Sequence, residues 1–206
     1  MVMTSRRHVL GIAFGASVAG LLPNLAFAAD ISGESKAFVE SLGRECIAAI
    51  TNQAIPEADR RAKFRELLLA GFDVPAIGRF VLGRYWRTAT DAQKQEFLKL
   101  FESMILKTYA DRFRDYGGEQ FNVTGSRSEG DDHAMVQSKI IRPNGGEPIN
   151  IEWRVLKPKG QLKIVDVIVE GVSMSSTQQE DYASGIQRGG GDLEPFLAEL
   201  RQRYGS

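Results

Sequence analysis

A change in hydrophobic period at the Gly117-Gly118 pair constrains the fold more than any other feature of this sequence. Before this pair, apolar residues recur every three or four positions, which is typical of amphipathic helices. After it, apolar and polar residues alternate over 121–127, 134–142, 149–157 and 162–170. Clusters of glycine, proline, asparagine and aspartate separate these stretches and indicate turns. Four consecutive strands with short connections predict an antiparallel meander.

Helices are predicted on both sides of this meander. Residues 35–70 have helical spacing, with Pro56 opening the second segment, which indicates a helical hairpin. Thr90, with Gln93 three residues on, predicts the capped start of a helix of about 26 residues, roughly 39 Å long and able to cross a sheet. Two further helices are predicted over 175–188 and 192–204. The order of elements predicts an α+β domain with its N-terminal and C-terminal helices packed on one sheet face.

Residues 1–28 are predicted to be an export signal and not part of the fold. Arg6 and Arg7 precede an apolar stretch over 9–22, and a small-residue cleavage site follows at Ala26-Phe27-Ala28. The apolar stretch is shorter than the roughly 20 residues that span a bilayer, and glycines interrupt it. The paired arginines resemble a twin-arginine signal, whose route carries folded proteins. Cleavage near Ala28 would leave a single domain, residues 29–206.

The net charge and the small numbers of cysteine and histidine residues exclude several classes of function. The 26 basic and 26 acidic side chains cancel, so the basic excess of a nucleic-acid-binding protein is missing. One cysteine and two histidines cannot form a His/Cys metal cluster. His133 lies in an acidic turn, and Asp166 and Glu170 have no second catalytic group near them in sequence, which favours structural roles. We predict no catalytic residue, no metal, no cofactor and no enzymatic activity.

The segment 79–87 combines arginines with large aromatic residues more densely than any other part of the chain. Arg79, Arg84 and Arg87 could bind a phosphate group through their forked donors. Alternatively, the aromatic rings pack inward while the arginine stems extend to water. The sequence leaves both interpretations open.

Three separated motifs resemble one known family. They are the stretch FDVPAIGRFVLGRYWR at 72–87, Phe97-x-x-x-Phe101 with Thr108-Tyr109-Ala110, and DVIVEGVSM at 166–174. They are similar to the MlaC family, also called toluene-tolerance or ABC-transporter auxiliary proteins, which are soluble periplasmic phospholipid carriers. The resemblance covers nearly all of the chain after the predicted signal.

This resemblance implies a periplasmic protein that holds phospholipid acyl chains in an apolar cavity between the sheet and the helices. It also implies a shuttle between an outer-membrane lipoprotein complex and an inner-membrane ring-shaped substrate-binding protein of an ABC transporter, maintaining outer-membrane lipid asymmetry. We expect a monomer that binds no nucleic acid. Some relatives are linked to hopanoid synthesis, so a hopanoid-associated lipid carrier remains an alternative.

On this basis twelve apolar residues are predicted to line the cavity: Ile77, Val81, Tyr85, Phe101, Ile105, Tyr109, Val136, Ile151, Trp153, Val169, Val172 and Met174. Val172 is the sharpest choice, because the resemblance places its turn at the pocket entrance. Arg84 and Arg87 are candidates for contact with a headgroup or a partner.

Two other classes of function stay open at this stage. A small-molecule enzyme on a cone-shaped α+β fold would need a titratable pair with perturbed pKa values inside the cavity. An adaptor without cargo would have no cavity of several hundred cubic ångströms, as estimated for ligand pockets.

Overall fold

The alternating half of the chain forms one antiparallel sheet. The structure, a computed structural model, describes residues 31–114 and 116–205, so the predicted export signal lies outside the described residues. The strands lie in sequence order, each antiparallel to the next: β1 Gln120–Ser128, β2 His133–Ile141, β3 Ile149–Leu156, β4 Lys163–Val169 and β5 Val172–Ser173. The predicted meander is confirmed, with the two-residue strand β5 added at one edge.

Helices precede and follow the sheet, as predicted. In the described part of the chain they are α1 Ile31–Thr51, α2 Glu57–Gly71, α3 Val74–Leu82, α4 Tyr85–Thr88, α5 Asp91–Arg114, α6 Met174–Arg188 and α7 Leu193–Tyr204. The short helices α3 and α4 occupy the basic-aromatic segment, for which the sequence analysis named no element. The α+β fold prediction is therefore confirmed.

Side-chain caps explain where several helices begin. Thr90 Oγ1 accepts a hydrogen bond from the Gln93 amide at 3.2 Å, and the Gln93 side chain accepts one from the Thr90 amide at 3.0 Å. This reciprocal capping box satisfies amides that a helix start leaves unpaired. The side chains of Asp73 and Asp192 cap α3 and α7 by accepting hydrogen bonds from the amides of Ala76 and Glu194.

Lysines on the strands attach the first two helices to the sheet. Lys157, at the end of β3, pairs with Glu34 in the first turn of α1. Lys163 on β4 donates to the carbonyls of Leu69 and Ala70 at 3.0 and 2.6 Å, in the last turn of α2. The carbonyls at a helix C-terminus lack partners within the helix, so this ammonium group satisfies them and positions α2 on β4.

The apolar side chains form two clusters. The helical cluster contains sixteen buried residues from α2 through α7, including a group of aromatic rings from Phe97, Phe101, Tyr182 and Phe196. The sheet cluster contains four buried residues, surrounded by eight that are only partly buried. Its buried members are Val39 of α1 with Val136, Val155 and Ile164 of the sheet.

The long helix does not cross the sheet. Its length of 24 residues agrees with the prediction, but α5 packs mainly on α7 and α3. Phe97 and Phe101 face Tyr182 of α6 and belong to the helical cluster. Helix α1 covers the sheet instead, against β1 and β2. Amphipathic spacing shows that a helix has an apolar face. Which element this face packs against depends on the rest of the chain.

Candidate functional site

One row of side chains crosses all five strands on a single face of the sheet. The strand pairing places Val123 opposite Ser138, Ser138 opposite Ile151, Ile151 opposite Val169, and Val169 opposite Val172. Residues directly opposite each other in an antiparallel pair project from the same face. These five residues, here called the cross-sheet row, are apolar except for Ser138.

The length of the cross-sheet row suits a hydrocarbon chain. Four spacings of about 4.8 Å between neighbouring strands give roughly 19 Å. A single acyl chain spans about half of the roughly 30 Å hydrocarbon core of a bilayer, or about 15 Å. The row is therefore long enough for an acyl chain lying across the strands.

Trp153 lies beside the cross-sheet row and bridges the sheet to the helices. Its ring centroid is 5.9 Å from that of Phe121 on β1 and 6.5 Å from that of Phe72 at the junction of α2 and α3, both in edge-to-face geometry. Its indole nitrogen donates to Ser138 Oγ at 2.9 Å, and Ser138 donates to the Ile151 carbonyl at 3.4 Å. The polar groups of Trp153 and Ser138 are thus satisfied within an otherwise apolar surface.

At one end of the cross-sheet row, Val172 is exposed over 52% of its surface. It follows a tight turn in which Glu170 and Gly171 have φ of +49° and +80°, the left-handed region in which glycine carries no steric cost. Met174 begins α6 two residues later and is also exposed. An exposed apolar pair at the end of an apolar row is typical of the entrance to a site for an apolar ligand.

A buried carboxylate holds this turn in place. Asp166, which is 6% exposed, accepts hydrogen bonds from Ser173 Oγ and Ser175 Oγ at 2.7 Å each. It also accepts from the amides of Ser175 and Val167, at 3.1 and 2.9 Å. Ser173 in turn caps α6 through the Ser176 amide. Asp166 connects β4 to the start of α6, which agrees with the structural role favoured from sequence.

At its other end, the cross-sheet row meets an open cleft between α1 and β1. The cleft has a volume of about 500 Å³ and is lined by Phe121, Asn122 and Val123 of β1 with Glu40, Arg44 and Ile47 of α1. Gly43 allows this approach, because a Cβ at that position would clash with the Phe121 ring. The row therefore runs from a cleft at the β1 edge to the exposed turn at the β5 edge.

The structure distributes the twelve predicted lining residues over three places. Val136, Ile151, Trp153, Val169 and Val172 share one face of the sheet. A second group packs in or against the helical cluster: Ile77, Val81, Tyr85, Phe101 and Ile105. Tyr109 and Met174 are exposed over 38% and 37% of their surfaces. The sheet members form a continuous surface, and the helical members surround a different core.

The most buried predicted residues have no free space beside them. Val136 and Val81 are 0% and 1% exposed, so no water-sized space adjoins either side chain. Neither this cleft between α1 and β1 nor a second open cleft, at residues 79–87, is lined by any of the twelve residues. An acyl chain lying along the cross-sheet row must therefore displace partly buried side chains around the sheet cluster.

Several residues of this site were absent from the sequence prediction. Val123 and Phe121 alternate with polar residues on β1, so the two-residue period places them on one face of the strand. It does not show which element packs on that face. Ser138 interrupts the apolar alternation of β2, and its role depends on the register that brings Trp153 opposite Val136. Phe72 belongs to a helix junction, for which no periodic signal exists.

A second open cleft contains the basic-aromatic segment. It has a volume of about 490 Å³ and is lined by Arg79, Phe80, Arg84, Trp86, Arg87 and Gln179 with two small residues. The structure thus brings the predicted pair Arg84 and Arg87 together with Arg79. Tyr85 packs inward and all three arginines are exposed, but Phe80 is exposed over 47% of its surface, so the aromatic rings of the segment do not all pack inward.

Burial keeps the Cys46 thiol and the Tyr182 hydroxyl, which pack against and in the helical cluster, in their neutral forms. Burial, with a smaller contribution from Glu45, raises the pKa of the Cys46 thiol to about 11. Burial also raises the pKa of Tyr182, and Tyr204 and Asp181 act in the same direction. Since a protonated thiol is a poor nucleophile, Cys46 is inert at neutral pH.

Two features are absent from the described residues. No group of three or more His, Cys, Asp or Glu side chains within it is placed to hold a metal ion. None of the helices in residues 31–114 and 116–205 is long and apolar enough to cross a membrane.

The fold is shared with a protein of known structure. The chain matches the structure of a phospholipid-binding protein from Ralstonia solanacearum, solved in complex with a phospholipid, with a TM-score of 0.69 and 24% identity. The match covers 83% of this chain and 98% of that chain. The two proteins share the same α+β architecture.

Sequence comparison then defines the family. The MlaC protein family matches residues 40–202, so the chain belongs to the MlaC family. It is 27% identical over 145 residues to the intermembrane phospholipid transport system binding protein MlaC of Haemophilus influenzae, covering 69% of this chain and 67% of that protein. It is 25% identical over 126 residues to toluene tolerance protein ttg2D of Pseudomonas putida, covering 61% of this chain and 58% of that protein. The matched segments thus span about three fifths to two thirds of these relatives.

Proposed function

We propose that this protein is a periplasmic carrier that binds phospholipid by its acyl chains and moves it between the two membranes. Membership of the MlaC family and the fold shared with a protein solved in complex with a phospholipid support this proposal. The observation that carries it is the cross-sheet row, which offers roughly 19 Å of apolar surface on one face of the sheet.

The energetics of hydrocarbon in water explain why a carrier needs such a surface. At about 0.8 kcal/mol per buried methylene, two acyl chains with roughly 30 methylenes gain on the order of 25 kcal/mol when they leave water. An exposed patch would shield only part of them. We therefore place the chains along the cross-sheet row, beneath α1, with the headgroup outside near Val172.

Cargo entry requires side chains to move. The residues that surround the buried part of the sheet cluster are large and only partly buried, and include Phe38, Leu42, Phe121 and Trp153. Their displacement would open space between α1 and the sheet and leave the helical cluster intact. Loose apolar contacts of this kind bind hydrocarbon without strong selectivity, which suits a carrier that must also release its cargo.

The finer features of transport belong to the same proposal. The carrier would receive or deliver lipid at an outer-membrane lipoprotein complex and at an inner-membrane ring-shaped protein of an ABC transporter, and so maintain outer-membrane lipid asymmetry. Arg84 and Arg87, at the basic cleft, would contact a headgroup or a partner. No catalytic step or cofactor is involved.

Lipid extraction tests the proposal directly. The protein, purified without detergent and extracted with organic solvent, is expected to release phospholipid in a stable molar ratio, measured by mass spectrometry. A hopanoid in the extract would identify the alternative lipid cargo. An extract without any lipid, from a protein that also fails to take up added phospholipid, contradicts the carrier proposal.

The variant Val172→Glu locates the site. A carboxylate at this position would meet acyl chains without a partner, so bound lipid should fall at least tenfold, as expected for roughly 2 kcal/mol of desolvation cost. Because Val172 is half exposed, the fold should lose less than about 0.5 kcal/mol. Ile141→Glu is the matched control, since Ile141 is 37% exposed and lies on the opposite face of β2. Equal lipid content in Val172→Glu and wild type would remove the cross-sheet row as the site.

A further inference from the structure

The basic cleft presents three arginines from two short helices on one open surface. Arg79 belongs to the last turn of α3, Arg84 precedes α4, and Arg87 lies on α4. The cleft shares no residue with the cross-sheet row, so its function can be separated from that of the cargo site.

The local backbone holds this arrangement. Gly83 has φ of +56°, and its amide donates to the carbonyls of Arg79 and Phe80, which ends α3 and turns the chain into α4. The side-chain amide of Gln179 on α6 donates to the Phe80 carbonyl. Arg84 donates to Tyr85 Oη at 2.8 Å with its guanidinium group 4.9 Å from the ring centroid. The arginines are therefore presented from a well-defined turn.

Among the described residues, no carboxylate lines the cleft to balance its positive charge. In the part of the chain that the structure describes, none of the salt bridges includes Arg79, Arg84 or Arg87, and the residues lining the cleft include no carboxylate. Lys94, which pairs with Asp91, lies 5.9 Å from the Trp86 ring centroid. Since the chain has no net charge overall, this local concentration is complementary to an anion.

An exposed aromatic ring accompanies the arginines. Phe80 is exposed over 47% of its surface, the second-highest exposure among the large exposed apolar residues of the described chain. An acidic protein segment would pair with the guanidinium groups, but it gives no reason for a solvated phenyl ring beside them. A bilayer with anionic lipids accounts for both, because phosphates attract the arginines while the ring enters the boundary between headgroups and acyl chains.

We propose that the basic cleft docks the protein on the surface of a membrane that contains anionic phospholipids. The forked donors of Arg79, Arg84 and Arg87 bind headgroup phosphates, and Phe80 inserts beside them. Docking brings the carrier to the membrane surface independently of whether its cargo site is filled. Binding weakens as ionic strength rises, because the attraction to the surface is electrostatic.

Vesicle co-sedimentation tests this proposal with the purified full chain. The wild type should bind vesicles of equal parts phosphatidylglycerol and phosphatidylcholine, and bind pure phosphatidylcholine vesicles much more weakly. At about fivefold per arginine near an anionic surface, Arg79→Gln with Arg87→Gln should weaken binding about 25-fold. Arg84 is kept, because it contacts Tyr85. Phe80→Ala should weaken binding about tenfold through the lost apolar contact.

The matched control removes the same charge elsewhere. Arg142→Gln with Arg154→Gln changes two exposed arginines of the β2–β3 turn and β3 and should alter binding by less than about threefold. Lipid content measured by mass spectrometry should match wild type in Phe80→Ala and in the Arg142→Gln, Arg154→Gln variant, which separates docking from cargo binding.

Three results would overturn the proposal. The first is wild-type binding that does not depend on phosphatidylglycerol. The second is an equal loss of vesicle binding in the two double variants, which would mean a general charge effect. The third is binding of a polyglutamate peptide that depends on Arg79 and Arg87 without any binding to the anionic vesicles, which would make the cleft a protein-docking surface.

Discussion

The helical cluster and the sheet cluster differ in how completely they are buried. The helical cluster has sixteen buried residues and eleven partly buried neighbours, and its buried rings are in contact, such as Phe97 and Phe101 with centroids 5.7 Å apart. In the sheet cluster, only four residues are buried and eight neighbours are partly exposed. Close-packed interiors resist changes in volume, whereas partly exposed side chains can move at little cost. The difference indicates a stable helical framework beside a sheet surface that can adapt to a ligand.

The largest expected effect concerns the helical framework. Phe97 is 0% exposed and contacts Phe101 and Tyr182, so Phe97→Ala should lower the free energy of unfolding by about 3–5 kcal/mol. Val136→Ala in the sheet cluster removes less apolar volume and should cost about 2 kcal/mol. Urea denaturation measures both. Phe80→Ala is the control, since Phe80 is 47% exposed. A loss below about 1 kcal/mol for Phe97→Ala would mean that the helical cluster is not the framework.

Removal of bound lipid should act on the sheet cluster alone. A ligand at 100 times its dissociation constant stabilises a protein by about 2.7 kcal/mol, so delipidated protein should melt at a lower temperature. Hydrogen exchange should speed up in α1, β1 and the 170–174 turn and stay unchanged in α7. Restoring phospholipid should reverse the change. Equal deprotection of α7 and α1 would contradict the division into two regions.

The Asp166 network joins the two regions, and its loss should have an intermediate effect. Asp166→Asn keeps the shape of the side chain but replaces one of the two oxygens that accept hydrogen bonds from the Ser173 and Ser175 hydroxyls. The free energy of unfolding should fall by about 1–2 kcal/mol. The amides of Ser175 and Ser176 should exchange faster with solvent, because their acceptors lie in this network. Asp181→Asn, on the exposed face of α6, is the control and should change neither property. Unchanged exchange at Ser175 would show that Asp166 does not hold the turn.

The smallest expected effect lies on the outer face of the sheet. The hydrogen bond from Arg127, at 2.9 Å, lowers the pKa of Glu152. A depressed pKa in the folded protein gives a stabilisation that is present above the pKa of the unfolded chain, near 4.5, and is lost as pH falls through the folded value. Both side chains are at least a third exposed, so the pair contributes about 0.5 kcal/mol or less.

The free energy of unfolding of wild type and Glu152→Gln, measured between pH 7 and pH 3, checks this pair. The two proteins should differ above about pH 5 and converge in acid, and high salt should reduce the difference. A difference that grows as the pH falls would contradict the assigned sign.

Local signals made much of the fold predictable. The capping box at Thr90 and the N-cap at Asp192 mark helix starts from a few neighbouring residues, and both are present in the structure. The alternation of residues 121–170 assigned Val136, Ile151, Trp153 and Val169 to strands. The short strand β5 and helices α3 and α4 were not predicted as elements, because two to nine residues carry too little periodic pattern.

The candidate site was only partly predictable, because it depends on strand register and on helix packing. Ile151 and Val172 are 21 residues apart and become neighbours of Val169 only through the pairing of β3, β4 and β5. Phe101 has the same apolar character as Trp153 but packs in the helical cluster. Apolar character favours the burial of a residue and does not show in which core the residue packs.

By itself, the sequence determined the order of helices and strands, their caps and turns, and the face of each strand that avoids water, because these properties depend on residues within a few positions of each other. Tertiary structure alone decided that α5 packs on helices and that one row of side chains crosses five strands. These features depend on contacts between distant segments, whose partners are selected by the packing of the whole chain.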